Sequence, residues 1–497
     1  MLDSGRINDG PDKGRLTFWL VAATLATSMC GSFQFGYQVG VLTGPSNMMQ
    51  TFYNASNEER RSVFLSDTAV LWLWSTTVSI FCIGGAAGAF TAGYLADTLG
   101  RKGATLLVNV FSILGGLLMG LSYVANNYEM IIIGRLVIGY YAGVSVTIVP
   151  LYLAEIAPFN LRGAIGTIHQ LMITVGILVA QALGLFAFDY EKGWPILLSL
   201  TAGPSIIQLF LLPFCPESPR WLFVNRDKED ACREALVKFR GTEDVDKEMN
   251  EIRRENMESM NTEKVGILAV LRRDNPDWTR PLIICICLHL GQQFSGINAI
   301  MFYATEIYYQ TGMDDTQVAY STVGTGAINV LMTIVAVFVV DRAGRKALLL
   351  FPFAGMVVAT ALLTMSLNLQ ERSEGWKWVS LILIYIYIIA FAIGPGPIPY
   401  VIVPELWAQG PRPAAMSISV QVNWYSNFIV GLTFPFLQDT IGAYAFLFFM
   451  FFCLLTTIFV FFYVPETKGR TFEDIVGSFG ASRPTEDDAK INKAYSP

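Results

Sequence analysis

Apolar residues follow one another along this chain in long runs, and charged residues collect in the stretches between them. A helix of about 20 apolar residues crosses a hydrocarbon layer of roughly 30 Å, and the chain holds twelve runs of that order. The pattern therefore predicts an all-α membrane protein with twelve transmembrane helices. The runs lie approximately at 17–43, 70–95, 104–124, 129–153, 164–186, 194–214, 280–309, 317–340, 347–367, 378–407, 413–437 and 441–464.

The composition agrees with this reading. Of 497 residues, 53% are hydrophobic and only 15% are charged, whereas a soluble protein has roughly 25% charged residues. The seven cysteines are scattered, mostly inside apolar runs, which favours buried thiols over a disulfide framework. The net charge of −6 carries little information, because the charges lie in loops and tails.

Basic residues show which loops face the cytoplasm, since cytoplasmic loops retain Lys and Arg. Arg101 follows the second run, Arg162 the fourth and Arg345 the eighth, while the loops after runs three, seven and eleven carry none. Both termini are therefore expected on the cytoplasmic side. The first external loop carries Asn54-Ala55-Ser56, an acceptor sequence for N-glycosylation, although sequences this short also occur by chance.

Three short motifs occur twice in the same order, about 250 residues apart. LADTLGRK recurs as VVDRAGRK, AEIAPFNLRGA as PELWAQGPRPAA, and PESPR as PETKGR. The repeat predicts two homologous halves of six helices each. The repeated charged residues are Asp97, Arg101, Glu155, Arg162, Glu217 and Arg220 in the first half, and Asp341, Arg345, Glu405, Arg412, Glu466 and Arg470 in the second.

These charges have two interpretations. They are either solvated loop residues that only set the topology, or members of ion-pair networks at the cytoplasmic ends of the helices. Their recurrence favours networks, which would hold an inner gate closed because opening must break charge-assisted bonds.

The repeated motifs, together with GQQFSGINAI and IGPGPIPY, resemble the sugar porter family of the major facilitator superfamily, and in particular its animal facilitative hexose carriers. The resemblance covers about residues 15 to 475. It implies a cytoplasmic N-terminus at 1–15, a six-helix half at 16–214, a cytoplasmic helical linker domain at 215–279, a second half at 280–464 and a cytoplasmic tail at 465–497. A disordered linker is the alternative for the central part, and the polar tail beyond about 478 is expected to be disordered.

Polar side chains inside membrane helices are costly, so they indicate either function or hydrogen bonding between helices. By resemblance, seven positions match sugar-binding positions of the family: Gln170, Gln292, Gln293, Asn298, Asn329, Asn423 and Trp424. Tyr37, Gln38, His289, Ala392 and Tyr400 complete the candidate binding set. Amides suit a hexose, whose hydroxyls both donate and accept hydrogen bonds.

Gly296 and the Gly394 to Pro399 run interrupt two of these helices. They are either structural kinks or, as the resemblance implies, points at which the helices bend to occlude the substrate.

Proton-coupled relatives carry Asp at the position of Gln38, and an amide cannot titrate, so passive uniport by alternating access is expected. Ala392 resembles the fructose carriers and the Asn423-Trp424 pair resembles the glucose carriers, which favours fructose or mixed fructose and glucose transport. Urate is an alternative substrate, and a receptor that senses sugar without transporting it is an alternative function. No enzyme activity, cofactor, metal or nucleic-acid partner is expected, and the carrier is expected to work as a monomer in the plasma membrane.

Overall fold

The computed structural model describes residues 14–189, 193–262, 265–340, 342–470 and 475, and these residues form helices and connecting loops with no strand. Contacts divide the chain into two compact units. The first unit contains the described residues up to 66 and from 83 to 261, and the second contains residues 67–82 and those from 262 onward. The helix Asp67–Leu99 therefore contributes to both units.

The helices up to the central linker are α1 (Phe18–Thr27), α2 (Phe33–Gly40), α3 (Ser46–Arg61), α4 (Asp67–Leu99), α5 (Arg101–Leu121), α6 (Glu129–Ile156), α7 (Arg162–Asp189), α8 (Gly193–Ser199), α9 (Ala202–Leu211), α10 (Pro219–Val224), α11 (Glu229–Arg240) and α12 (Asp246–Asn261). A π-helical turn, Ser28–Ser32, joins α1 to α2.

The helices that follow are α13 (Ile267–Arg272), α14 (Thr279–Phe294), α15 (Ile297–Phe302), α16 (Ala304–Gln310), α17 (Asp315–Val340), α18 (Arg345–Leu369), α19 (Gly375–Ile393), α20 (Ile398–Glu405), α21 (Arg412–Ile441) and α22 (Ala445–Tyr463). In the second unit α14 packs against α21 and α22, and α18 packs against α19 and α22.

Ten stretches of the described chain are long and apolar enough to cross a membrane: Asp67–Leu99, Arg101–Leu121, Glu129–Ile156, Phe159–Leu185, Gly193–Phe214, Pro276–Phe302, Asp315–Val340, Arg345–Leu369, Gly375–Glu405 and Arg412–Tyr463. Two differences separate this set from the twelve predicted runs. The first predicted run is divided by the π-helical turn into two short helices, and the last two runs form one continuous apolar stretch.

Large apolar side chains on the outside of these helices indicate a lipid environment. Phe210, Phe351 and Phe462 are each about 70% exposed. Many other large apolar side chains of these helices are exposed as well, and water is a poor solvent for so much apolar surface.

The central linker is helical. Helices α10 to α12 enclose a small apolar core of Cys232, Leu236, Val245, Met249 and Ile252. They are attached to the first unit by Arg240, which donates to the carbonyl oxygen of Ile156 at 2.7 Å, and by Thr17, which donates to the carbonyl oxygen of Phe239 at 2.8 Å. Contacts thus place the linker helices in the same unit as the first half of the chain.

The two interrupted helices of the second unit are the feature that most affects the candidate site. At Gly296 the backbone φ is +96°, in the left-handed region, and an added Cβ would lie 2.5 Å from the Phe449 ring. Only glycine fits there, and α14 ends before it. Pro395 and Pro397 have no N–H to continue a helix, and α19 ends before them at Ile393.

Candidate functional site

Four of the predicted sugar-binding amides form one hydrogen-bonded chain in the second unit. Asn298 of α15 donates from Nδ2 to Oε1 of Gln293, and Gln293 Nε2 donates to Oδ1 of Asn423 at 3.0 Å. Asn423 Nδ2 donates in turn to Oε1 of Gln292 at 2.6 Å. All four amides are neutral, and each is hydrogen-bonded to the next. Placing them in an apolar environment therefore does not bury a charge.

The chain of amides ends at the backbone of the second interrupted helix. Gln292 Nε2 donates to the carbonyl oxygen of Pro395 at 2.7 Å and to that of Gly396 at 2.8 Å. A break in a helix leaves carbonyl groups without their usual N–H partners, and buried carbonyls require a substitute. The amide cluster therefore connects α14 to the break between α19 and α20.

His289 and Tyr400 extend the cluster. His289 is fully buried one turn before Gln292, with Nδ1 3.1 Å from Asn423 Nδ2, and its Nε2 has no hydrogen-bond partner among the described residues. The Tyr400 ring meets the imidazole edge to face at 5.0 Å between centroids and is 46% exposed. This arrangement leaves a buried hydrogen-bonding atom next to an accessible aromatic ring.

Three further predicted residues of the second unit are Trp424, Asn329 and Ala392. Trp424 is buried and contacts the Phe81 ring at 6.1 Å between centroids. Asn329 is partly exposed on α17, where its backbone carbonyl accepts a hydrogen bond from Thr333. Ala392 is buried two residues before the break that follows Ile393.

In the first unit, Tyr37 and Gln38 lie inside a polar core. Both are buried, and Tyr37 donates its hydroxyl to the carbonyl oxygen of Leu197 at 2.7 Å. Gln38 Nε2 donates to Thr201 at 2.6 Å, and its Oε1 accepts from Arg135 at 3.0 Å. The hydrogen-bonding groups of both predicted residues are thus already used within their own unit.

Gln170 differs from these two residues, because its side chain is exposed on α7. Its neighbour His169 lies 2.7 Å from the Ser32 hydroxyl, measured from Nδ1, at the end of the π-helical turn. The exposed amide is free to meet a solute, whereas Gln38 has protein partners.

Arg135 is the main functional candidate that the sequence reasoning missed. It is fully buried in α6, and it donates to both the side-chain and the backbone oxygen of Gln38. A single arginine inside the apolar run 129–153 was the available signal, since a charge in such a run is functional by default. Also missed was a neighbouring network in which Ser205 donates to Gln34 at 2.9 Å and to Ser112 at 2.7 Å.

The predicted ion-pair network of the first half is assembled around Arg101. Its guanidinium makes two hydrogen bonds to the Glu155 carboxylate, at 2.8 and 2.7 Å, and lies 3.7 Å from Asp97. Glu217 accepts the backbone N–H groups of Arg101 and Lys102, each at 3.1 Å. The φ of +86° at the preceding Gly100, where a Cβ would collide with the Glu217 carboxylate, allows this close approach.

The second half repeats the arrangement around Arg345. Its guanidinium donates to Glu405 at 3.3 and 3.2 Å, and Glu466 accepts the backbone N–H groups of Arg345 and Lys346 at 2.8 and 3.2 Å. Asp341 lies outside the described residues. Each of these contacts joins residues of one unit.

Four predicted arginines stand apart from these two networks. Arg220 pairs with Glu255 of α12 at 2.8 Å, and Arg162 lies over the Phe159 ring at 5.9 Å. Arg412 donates to the carbonyl oxygen of Trp407, and the backbone N–H of Arg470 bonds Thr467. Among the described residues, Arg162, Arg412 and Arg470 form no ion pair with a carboxylate.

Asn54 lies in α3, and its side-chain oxygen accepts the backbone N–H of Leu65 at 3.2 Å. Ser56 of the same acceptor sequence is fully buried and donates to the carbonyl oxygen of Asn126 at 2.8 Å. In the folded protein, then, the acceptor sequence is helical and its hydroxyl is occupied.

The six cysteines whose side chains the structure describes are free thiols. No group of three or more His, Cys, Asp or Glu side chains in the described part of the chain is arranged to hold a metal ion.

Comparison with known proteins gives consistent matches over nearly the whole chain. Residues 23–479 match the family model described as "Sugar (and other) transporter". The Equus caballus protein named solute carrier family 2, facilitated glucose transporter member 5, is 47% identical over 464 residues, which are 93% of this chain and 92% of that protein. The Rattus norvegicus protein named facilitated glucose transporter member 3 is 45% identical, with 92% of each chain covered.

Solved structures agree. A partially occluded, inward-open structure of the xylose transporter XylE from E. coli matches with a TM-score of 0.77 at 26% identity, covering 91% of this chain and 99% of that one. Another XylE structure, described as a major facilitator superfamily proton:xylose symporter, matches with a TM-score of 0.75 at 24% identity over 93% and 99% of the two chains. These likenesses establish an all-helical major facilitator architecture.

Proposed function

This chain belongs to the sugar transporter family, and from that membership and its buried amide cluster we propose that it is a facilitative hexose uniporter. One observation carries the proposal: Gln292, Gln293, Asn298 and Asn423 form a continuous chain of neutral amides inside a membrane protein. The family is one of transporters, so the protein is not an enzyme, and its apolar helices make it an integral membrane protein.

A neutral amide cluster suits a hexose for a chemical reason. Sugar hydroxyls donate and accept at the same time, and each amide offers both an acceptor oxygen and two donor hydrogens. Bonds between the amides can be exchanged for bonds to the sugar without leaving a buried group unsatisfied. Gln170 and Asn329 are proposed to add hydrogen bonds to the sugar, and Trp424 to cover its apolar face.

We propose transport without proton coupling. Gln38 pairs with the buried Arg135 through an amide oxygen, and an amide does not take up or release a proton near neutral pH. Because a coupled carrier needs a group that titrates during the cycle, this pair supports passive movement down the sugar gradient. Alternating access between two halves is proposed, and the repeat and the fold of the structural relatives support it.

The Arg101 and Arg345 networks are proposed to hold the helix ends on the cytoplasmic side of each half in the conformation in which the inner gate is closed. Both use buried or half-buried carboxylates whose bonds must be rearranged when the helix ends move. Arg162, Arg220, Arg412 and Arg470 are proposed to join them in another conformation.

The proposed topology has twelve transmembrane helices. The π-divided first run supplies one of them, and Arg412–Tyr463 supplies two, separated by the short 3₁₀ turn Gly442–Tyr444. Both termini and the linker helices then face the cytoplasm, and α3 with Asn54 faces outward in the plasma membrane. The carrier is proposed to work as a monomer, with Asn54 glycosylated before α3 folds, since the folded helix hides Ser56.

For the substrate we propose fructose, alone or together with glucose. His289 has Nδ1 against Asn423 and offers its other buried nitrogen, Nε2, for a further hydrogen bond. The Tyr400 ring contacts the imidazole, and Tyr400 and the carboxylate-free Ala392 lie on either side of the break between α19 and α20. One hydroxyl's difference in hydrogen bonding shifts discrimination by about 1–3 kcal/mol, so this local chemistry is sufficient to set preference.

The test is uptake of labelled fructose and glucose into proteoliposomes that contain the purified protein, with and without an imposed proton gradient. We expect saturable entry that ignores the gradient. Asn423→Leu should abolish it, while Asn368→Leu, which removes an amide that donates to the Thr364 carbonyl of its own helix, should not. Accumulation driven by the gradient would refute uniport, and absence of uptake of both sugars would refute a hexose substrate.

A further inference from the structure

Each of the two interrupted helices in the second unit provides the hydrogen-bond donor that the other lacks. Tyr387 of α19 is almost fully buried, and its hydroxyl donates to the carbonyl oxygen of Ser295 at 2.7 Å. Ser295 is the residue between the end of α14 and Gly296. In the opposite direction, Gln292 of α14 donates to the carbonyl oxygens of Pro395 and Gly396.

This pairing is reciprocal in a way that ordinary helix packing does not require. A regular helix uses its own N–H groups for its carbonyls, so only a break creates carbonyls that a neighbour must satisfy. Here the short hydrogen bond to the first break comes from the second interrupted helix, beside a longer contact of 4.0 Å from the Cys453 thiol of α22, and the donors for the second break come from the first. Neither helix can change its bend without disturbing the hydrogen bonds of the other.

We infer that Tyr387 is a positioning residue for sugar binding, acting through the last turn of α14. This inference rests on the proposed function. The Ser295 carbonyl that Tyr387 holds follows Gln292 and Gln293 by two to three residues, and the Ser295 hydroxyl donates to the Gln292 carbonyl at 2.6 Å. Holding that turn fixes the paired glutamines, and with them the amide chain to Asn423.

Tyr387→Phe removes the hydroxyl and keeps the ring, so it separates positioning from packing. The matched control is Tyr385→Phe, two residues away on α19, whose hydroxyl donates at 3.1 Å to the carbonyl oxygen of Ser321 within the uninterrupted helix α17. Both variants lose one hydroxyl and one bond to a carbonyl. Only the first loses a bond at a helix break.

In the proteoliposome assay, Tyr387→Phe should raise the half-saturating sugar concentration about fivefold, the effect of losing one neutral hydrogen bond, with the maximal rate per folded carrier within about twofold of wild type. Tyr385→Phe should match wild type in both. Equal half-saturation in the two variants would overturn the inference, and so would a fall in the maximal rate per folded carrier with half-saturation unchanged.

Hydrogen exchange of the detergent-solubilised protein tests the same idea without a transported sugar. In Tyr387→Phe, backbone amides in residues 291–302 and in residues 393–400 should both exchange faster than in Tyr385→Phe. Faster exchange confined to the first segment would overturn the reciprocal coupling. If wild type transports neither sugar, the proposed function fails, whereas the exchange result still decides whether Tyr387 joins the two breaks.

Discussion

The Arg101 network of the first unit and the Arg345 network of the second are two copies of one sequence motif. In both, the arginine guanidinium pairs with a glutamate from a distant helix. A second glutamate accepts backbone N–H groups at the start of the helix that begins with the arginine, which is α5 in the first copy and α18 in the second. Even the lysine after each arginine has the same role, since Lys102 and Lys346 each donate to a backbone carbonyl over 100 residues away. The repeat therefore reproduces a three-dimensional arrangement as well as a string of residues.

The copies nevertheless differ in strength. Arg101 meets both oxygens of Glu155, and the two side chains are each 10% exposed. Both Arg345 nitrogens converge on a single oxygen of Glu405 at longer distances, and those side chains are 16% and 28% exposed. A buried, bidentate ion pair is stronger than a more solvated pair that uses a single carboxylate oxygen, because water competes less for its atoms.

The chain that follows the first network adds a contact to it. Helix α10 begins directly after Glu217, and its Trp221 donates from the indole nitrogen to the carbonyl oxygen of Asp97 at 2.9 Å. The Arg101 network is therefore held by a linker helix as well as by its ion pair.

The largest expected effect comes from removing each arginine. Arg101→Ala leaves the Glu155 carboxylate buried without its partner and should cost about 4 kcal/mol of stability, whereas Arg345→Ala should cost about half as much because Glu405 is better solvated. Thermal unfolding of the purified variants in lipid-supplemented detergent measures both. The opposite order of unfolding temperatures would contradict the comparison.

A smaller effect is expected when each arginine becomes lysine. Lysine keeps the charge but cannot meet two carboxylate oxygens at once, so Arg101→Lys should lose about 2 kcal/mol and Arg345→Lys less than about 1 kcal/mol. The same unfolding measurement applies. If the two variants lose equal stability, the bidentate geometry of the first copy contributes nothing.

The hydroxyls beside the two glutamates sharpen the comparison further. Ser218 donates to Glu155 and also accepts the backbone N–H of Trp221 as the cap of α10. Thr467 donates to Glu405 and caps no helix in the described part of the chain. Ser218→Ala should therefore cost about 1.5 kcal/mol and Thr467→Val about 1 kcal/mol. A larger loss of stability in Thr467→Val than in Ser218→Ala would show that the cap of α10 does not contribute to stability.

The smallest effect concerns pH. Burial raises the pKa of the Glu217 carboxyl above its ordinary value of 4.5, and the backbone N–H groups of Ser218, Lys102 and Gly103 and the charge of Arg101 only partly offset it. The folded protein then binds this proton more tightly than the unfolded chain, so wild-type stability should fall as pH rises from 4.5 through the raised pKa.

Glu217→Gln removes this titration. The stability of the variant relative to wild type should therefore improve by less than about 1 kcal/mol between the acid and the neutral end of that window. Unfolding temperatures of both proteins across the window measure the change. Parallel pH profiles would show that the burial of Glu217 does not affect its protonation.

The sequence alone determined a good part of this protein. Run length and apolarity predicted membrane helices, because a helix must satisfy its own backbone in lipid and needs a fixed number of residues to cross it. The repeat predicted two networks, and the contacts of Arg101 with Glu155 and of Arg345 with Glu405 join the expected residues.

Only the tertiary structure decided which partner each polar side chain has. Gln38 was predicted to belong to the substrate site, and the structure adds that it is paired with Arg135, 97 residues away on another helix. Gln292 was expected to face a sugar, and it also donates to the Pro395 carbonyl at the break between α19 and α20. In the opposite direction, Tyr387 of α19 donates to the Ser295 carbonyl at the break after α14. Periodicity shows which face of a helix a residue occupies. Which helix lies against that face depends on how all the helices pack, and no local pattern encodes that.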